Sequence, residues 1–187
     1  MADTLHALTA LGHEAPQTHQ IGPYRIAERF DVALASLACR RGRGADVAKA
    51  AKAAGVPLPD PARYAAGSPY SAFWVAPEMW FIEAPFATHE DIVAAVKPAF
   101  GDAASVTEQT DAWVRFDLSA ADLGPLMERL CNVDFARAPD GFATRTVIEH
   151  IGCYLIRHGA GEVTLYGARS SAKSLLHCLE VTAASVI

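Results

Sequence analysis

The chain has 187 residues, 51% of them hydrophobic, so it can bury a substantial core, and disorder is excluded for most of its length. Its 16 basic and 21 acidic residues give a formal net charge of -5, which provides no general attraction to nucleic acid or to an anionic membrane. No apolar run is long enough for a membrane helix, and the N-terminus lacks the pattern of a secretory signal. We therefore expect a cytoplasmic protein with neither a nucleic-acid nor a membrane partner.

In chain order, residues 1–23 carry three of the seven histidines and little hydrophobic periodicity, which predicts an irregular N-terminal arm outside the core. A half-buried strand is predicted over residues 31–39. An alanine- and lysine-rich helix should follow over residues 45–54, because Gly55 and Pro57 then supply a stop.

Aromatic and β-branched residues at 72–75 and 79–82, separated by a short turn, predict a hairpin. Thr88 is the expected cap of a helix that ends near Gly101. Strands are then predicted over residues 104–106 and 112–118.

Ser119 is the expected start of a second helix, which should continue through Leu130. Residues 144–156 predict a long strand, broken near Gly152, that turns back at residues 159–161 into a strand over 162–166. Ser170 or Ser171 should cap a final helix.

The predicted elements repeat in the order strand, helix, loop, hairpin, helix. This order predicts an α+β fold of two related β-α-β-β-α units packed together by internal duplication. The expected division is an arm over 1–23 and one domain over 24–187, with unit one at about 31–103 and unit two at about 104–187.

A search for catalytic patterns finds little. The glycine-rich turn after residue 40 stands between a predicted strand and a helix, but Val47 occupies the third glycine position of the dinucleotide fingerprint. The turn is therefore interpreted as a tight connection, or alternatively as an arginine patch that meets an acidic partner. His177 follows Ser174 by three residues on the last predicted helix, but a hydroxyl and an imidazole alone do not make a nucleophile, because the base also needs an orienting partner and a pocket. We expect no catalytic, cofactor or metal site.

The cysteines and aromatic residues favour packing roles. The four cysteines lack the paired spacing of zinc sites, so buried, reduced thiols are expected at Cys39, Cys131, Cys153 and Cys178. Aromatic side chains on alternating strand positions could form a stacking platform, but they more often fill a core or an interface. The aromatic residues in question are Phe73, Trp74, Trp80, Phe81, Trp113 and Phe116.

Five blocks, in the right order over most of the chain, resemble the gamma subunit of heterotetrameric sarcosine oxidase. They are LACRRG (37–42), WVAPEMW (74–80), VTEQTDAW (106–113), NVDF (132–135) and ARSSAKSLLHCL (168–179). The resemblance implies a fold similar to the folate-binding domains of the glycine-cleavage T-protein. It also implies that FAD, FMN, NAD and tetrahydrofolate are bound by alpha and beta partner subunits, and zinc by a delta subunit, with no cofactor in this chain.

The resemblance leads to one main hypothesis about function. The chain is expected to be a non-catalytic gamma subunit that supports the oxidative demethylation of sarcosine to glycine. Its candidate interface residues are charged or aromatic side chains near turns, namely Arg41, Arg43, Trp80 and Arg169.

Two alternatives remain open. One is the equivalent subunit of a related N-methyl amino acid dehydrogenase. The other is a free-standing folate-binding or one-carbon-transfer protein on the same fold, which would need an acidic residue in a pocket between the halves. Glu149, Asp134 and Asp111 are the available carboxylates.

Overall fold

The computed structural model describes residues 6–187, which form two antiparallel sheets and five α-helices. The strands are β1 Thr18–Ile21, β2 Tyr24–Arg29, β3 Val32–Cys39, β4 Tyr64–Ala65, β5 Ser71–Ala76, β6 Met79–Pro85, β7 Ala104–Glu108, β8 Trp113–Ser119, β9 Phe142–Ile148, β10 Ile151–Gly159 and β11 Glu162–Ala168. The helices are α1 Gly44–Ala54, α2 Phe86–His89, α3 Ile92–Phe100, α4 Gly124–Leu130 and α5 Ala172–Ala184. The expected mixture of helices and strands is therefore confirmed.

The layers run helix, sheet, sheet, helix. One sheet has the order β1-β2-β8-β11-β10-β9 and packs its outer face on α4 and α5, whereas the other has the order β4-β5-β6-β3-β7 and packs on α1 and α3. A third apolar cluster fills the space between the two sheets. At one side the sheets are joined directly, because Arg63, next to β4, forms a β-bridge with Phe142, the first residue of β9.

Each sheet places a hairpin beside a strand from earlier in the chain. The hairpin β5–β6 lies beside β3, with β7 on the far side, and the hairpin β10–β11 lies beside β8, with β2 on the far side. Duplication of two units, and the division of the chain at residues 23 and 103, stay predictions.

Helix α1 follows from its composition and its cap. Alanine and lysine have high helix propensity, and the apolar face of α1 buries Val47 and Ala51. Gly55 ends it in the left-handed conformation with φ 68°, which glycine adopts without a Cβ penalty. The predicted helix over residues 45–54 is confirmed.

Two of the three predicted helix starts change in the structure, and the third lacks the expected side-chain bond. Thr88 lies inside the short helix α2, and α3 is capped instead by Asp91, whose carboxylate accepts a bond of 2.9 Å from the amide of Ala94. Ser119 ends β8, and α4 begins only at Gly124 because Pro125 suits the first turn of a helix. Ser171 does precede α5, but its side chain makes no capping hydrogen bond.

The long strand expected over residues 144–156 is a hairpin. It turns at Glu149 and His150, which have φ values of 48° and 65°, rather than at Gly152. Two consecutive residues with positive φ form the tight turn whose twist matches the flanking strands. The sequence does not predict this turn because neither residue is a glycine, asparagine or aspartate.

The expectation of an irregular arm over residues 1–23 needs correction for its second half; residues 1–5 lie outside the described part. Residues Thr18–Ile21 form β1, and Leu11 is buried in the core beneath α5. The buried carboxylate of Glu28 holds this segment, accepting bonds from the amides of Leu11 at 3.1 Å and Gln17 at 3.3 Å. A side chain in β2 therefore supplies the order that the segment's own periodicity does not show.

The cysteines differ in burial. Cys153 is buried as predicted, whereas Cys39, Cys131 and Cys178 are partly exposed.

Within residues 6–187, no helix combines the length and apolarity needed to cross a bilayer.

Candidate functional site

Strand β8 turns one set of side chains toward its helices and the other toward the opposite sheet. Val114, Phe116 and Leu118 join the core under α4 and α5. Because side chains alternate along a strand, Arg115 and Asp117 face the space between the sheets. Strand geometry therefore places two charged groups between the sheets, where both side chains are mostly buried.

A buried polar cluster forms where the two sheets meet. Tyr166 lies opposite Arg115 on the neighbouring strand β11, and Glu83 reaches the same point from β6 of the other sheet. Tyr166 donates a hydrogen bond to Glu83, and Arg115 donates to Glu83 at 3.1 Å and to the Tyr166 oxygen at 3.3 Å. Ser71 donates to the second oxygen of Glu83 at 3.0 Å. We call Glu83, Arg115 and Tyr166 the inter-sheet clamp.

The clamp extends along β8 and β11. Asp117 accepts two bonds from Arg115, at 2.8 and 3.2 Å, and a third from Thr164 at 2.8 Å. His158 contacts the Thr164 hydroxyl at 3.0 Å through its Nε2 atom. These contacts occupy all five N–H groups of Arg115, since Thr164 accepts the last of them at 3.4 Å.

Burial and neighbouring charge shift the titration of the clamp. Burial raises the pKa of Tyr166 well above its ordinary value, and the Glu83 carboxylate raises it further. Burial alone would lower the pKa of Arg115, but Tyr166, Glu83 and Asp117 outweigh it and raise that pKa. Burial, and then the charge of Arg115, lower the pKa of His158. At neutral pH the clamp therefore holds a neutral phenol and a charged guanidinium, and the imidazole of His158 beside it is neutral.

Aromatic rings pack around the clamp. Phe73 stacks on Tyr166 with ring centroids 5.5 Å apart, and Phe81 meets Trp113 and Tyr154 at 5.6 and 5.3 Å. Phe73 and Phe81 are buried, so the prediction that aromatic strand residues fill the core is confirmed for them.

An apolar pocket opens beside the clamp, at the level of β2, β3 and β8. Its volume is about 290 Å³, and its lining is mostly apolar, with Arg115 and Tyr166 on one wall. Residues 7–10 form another wall, which Arg169 fixes by donating to the carbonyl of Leu8 at 2.8 Å. We call this the inter-sheet pocket.

The four predicted interface residues lie on three different parts of the fold. Arg41 and Arg43 occupy the tight turn between β3 and α1, where Arg43 pairs with Asp46 at 2.5 Å. Trp80 is half-buried and donates to the carbonyl of Pro59 at 2.8 Å. Arg169 alone lines the inter-sheet pocket.

The three carboxylates considered for folate do not converge. Asp111 lies at the inter-sheet pocket, 3.7 Å from Arg169. Asp134 pairs with Arg137, and Glu149 stands in the β9–β10 turn. Among residues 6–187, no three histidine, cysteine or acidic side chains are grouped closely enough to hold a metal ion.

Sequence reasoning missed the inter-sheet clamp. Two signals were present: Arg115 and Asp117 alternate with apolar residues in β8, and Glu83 stands inside the apolar run of β6. A charged residue within an apolar strand predicts a buried ion pair. The sequence does not show which strand supplies the partner, because Glu83 and Arg115 are 32 residues apart.

No protein-family model matches the chain, and no curated protein matches it significantly. Among solved structures, the fold is similar to a chain of heterotetrameric sarcosine oxidase from Corynebacterium sp. U-96, with a TM-score of 0.77 and 18% identity. The two chains share a fold. The match covers 91% of this chain and 88% of the other, so their lengths are similar.

The fold is also similar to aminomethyltransferase T of the glycine cleavage system from Bartonella henselae, with a TM-score of 0.57 and 11% identity. That match covers 81% of this chain but only 44% of the aminomethyltransferase, so this chain spans less than half of its length. The fold expected from the resemblance, similar to sarcosine oxidase and to the T-protein, is confirmed at this level.

Proposed function

We propose that this chain is a non-catalytic, gamma-type subunit of a heterotetrameric sarcosine oxidase and supports the oxidative demethylation of sarcosine to glycine. The observation that carries the proposal is the match of 91% of this chain to 88% of one chain of such an enzyme. Similar length favours a whole subunit as the counterpart, rather than one domain of a larger catalytic chain.

The inter-sheet clamp supports a structural role. Its charged groups satisfy one another, Glu83 is buried and Arg115 is mostly buried, and all five N–H groups of Arg115 already have acceptors. A catalytic group must instead reach a substrate with hydrogen-bonding capacity to spare. The most polar part of the interior therefore serves to hold the two sheets together.

The proposed assembly assigns the redox chemistry to other polypeptides. Alpha and beta subunits would hold FAD, FMN, NAD and tetrahydrofolate, a delta subunit would hold zinc, and the complex would lie in the cytoplasm. The equivalent subunit of a related N-methyl amino acid dehydrogenase would have the same architecture, so substrate turnover by the purified complex decides between the two.

A free-standing folate-binding protein is the second candidate, favoured by the likeness to aminomethyltransferase T and by the inter-sheet pocket. The pocket's volume of about 290 Å³ is at the lower limit for a drug-sized ligand. Of the three candidate carboxylates, only Asp111 lies there. Calorimetry of the isolated chain with tetrahydrofolate tests this candidate, and stoichiometric binding would favour it over the subunit.

Co-expression tests the main proposal. The chain is produced with tagged alpha and beta subunits and with delta, and the tagged complex is purified and passed over gel filtration. We expect this chain to elute with the others in constant ratio. Separate elution at micromolar concentrations would contradict the proposal.

A further inference from the structure

The rim of the inter-sheet pocket carries exposed apolar side chains. Phe30 is 57% exposed and Leu8 is 50% exposed, and both line the pocket. Only three other large hydrophobic side chains of the described residues are comparably exposed, and they lie on β9, on α5 and at the C-terminus. An apolar recess ringed by exposed apolar groups is the anatomy of an anchor site in a protein interface.

The charges that line the pocket are balanced. Three arginines, Arg29, Arg115 and Arg169, face three carboxylates, Glu14, Glu28 and Asp111. Five of these six charged groups have partners within the fold. Arg115 is saturated by the clamp, and Glu28 accepts bonds from two backbone amides. Arg29 pairs with two carboxylates outside the pocket lining, and Arg169 pairs with Asp111. An ionic occupant would lose hydration without gaining an uncompensated opposite charge, so the pocket favours a neutral one.

The size of the pocket suits an apolar side chain. An apolar cavity of about 150 Å³ holds a benzene ring, and this pocket has about 290 Å³. A small ligand inside the pocket would leave Phe30 and Leu8 in water. A protein segment that inserts one side chain would cover them as well.

We infer that the inter-sheet pocket receives one uncharged apolar side chain, of leucine or phenylalanine size, from a partner subunit, with Leu8 and Phe30 as the surrounding contact rim. This inference rests on the proposed function, because it assigns the docking surface of the same assembly. It places Arg169 at the edge of the interface and Arg41, Arg43 and Trp80 outside the anchor site.

Charged substitutions at the rim test the inference. Phe30→Asp and Leu8→Asp are compared with Val181→Asp, which changes a residue of α5 that is 55% exposed and distant in sequence from the rim. The alpha, beta and delta subunits are purified together without this chain. The affinity of each variant for them is then measured by biolayer interferometry. We expect each rim variant to bind at least tenfold more weakly, and the α5 variant to bind within twofold of wild type.

A variant that fills the pocket tests whether a partner side chain enters it or whether the partner only covers the rim. Val32→Phe narrows the pocket from β3 without changing charge, and its melting curve is compared with wild type to confirm folding. We expect at least tenfold weaker binding. Binding at wild-type strength by both Val32→Phe and Phe30→Asp would overturn the docking surface while leaving the proposed subunit role intact.

Two further outcomes would also overturn the inference. If wild-type chain does not bind the partner subunits at all, the proposed function fails and the docking surface fails with it. If the isolated chain is a dimer that Phe30→Asp converts to a monomer, the rim contacts a second copy instead of a different subunit.

Discussion

Tyr166 donates its phenolic hydrogen to the carboxylate of Glu83, and the two residues belong to different sheets. Glu83 is 5% exposed and Tyr166 is 3% exposed. Arg115 bonds to both and supplies the charge that the buried carboxylate needs. The sheets are thus joined by a charged, hydrogen-bonded contact within an otherwise apolar layer.

Removing the guanidinium should cost much more than removing an exposed one. In Arg115→Met, Glu83 keeps its bonds from Tyr166 and Ser71 but loses its ion pair, and an unpaired buried charge costs about 3 kcal/mol or more. Urea denaturation should show a loss of about that size in the free energy of unfolding. Arg43→Met, at the exposed pair with Asp46, should change it by less than about 1 kcal/mol.

The double variant Arg115→Met/Glu83→Leu tests whether the clamp acts as a pair. Replacing both charged groups by apolar ones leaves no unpaired charge in the clamp, and Asp117 keeps its ion pair with Arg29 at 3.3 Å. The double variant should therefore be more stable than the sum of the single losses predicts. A double loss equal to that sum would show that the two residues are not coupled.

The cap of α3 can be tested by comparing Asp91, which caps the helix in the structure, with Thr88, which the sequence predicted as the cap. Asp91→Ala removes the bond to the amide of Ala94 and should lower the free energy of unfolding by about 1 kcal/mol. Thr88→Ala should change it by less than half as much, because the Thr88 hydroxyl donates to the carbonyl of Pro85 and caps no helix. Thermal melts of both variants check this, and a larger loss for Thr88→Ala would contradict the assignment.

The turn between β9 and β10 is a site for stabilisation. Glu149 and His150 adopt positive φ, which costs L-residues about 1 kcal/mol each, whereas Asn-Gly favours this conformation. The variant Glu149→Asn/His150→Gly should raise the free energy of unfolding by about 1 kcal/mol. His150→Ala is the control, since it keeps the strained conformation and should give no gain.

The buried thiol of Cys153 makes the free energy of unfolding depend on pH in the alkaline range. Burial raises the pKa of its thiol to about 11, from an ordinary value of 9.0. Between these values the native state keeps a proton that the unfolded chain has lost, so the free energy of unfolding falls as pH rises from 9 to 11. Tyr166 acts in the same direction because its pKa is also raised. Cys153→Ala should show a smaller decline over this range, and an unchanged slope would contradict the assignment.

Local patterns were enough to find much of the fold. The strand at β3, the helix α1 and the hairpin β5–β6 were predicted from periodicity, propensity and a glycine stop, all of which lie within a dozen residues. The missed features depend on distant partners. Glu28 orders a segment up to 17 residues away, and Glu83 finds Arg115 only after the two sheets pack together.

The most direct test of the central claim is native mass spectrometry of the complex purified through a tagged alpha subunit. The account predicts one copy each of alpha, beta, delta and this chain, with sarcosine oxidation present in the complex and absent from this chain alone. A stable active complex without this chain, or turnover by the isolated chain, would contradict it.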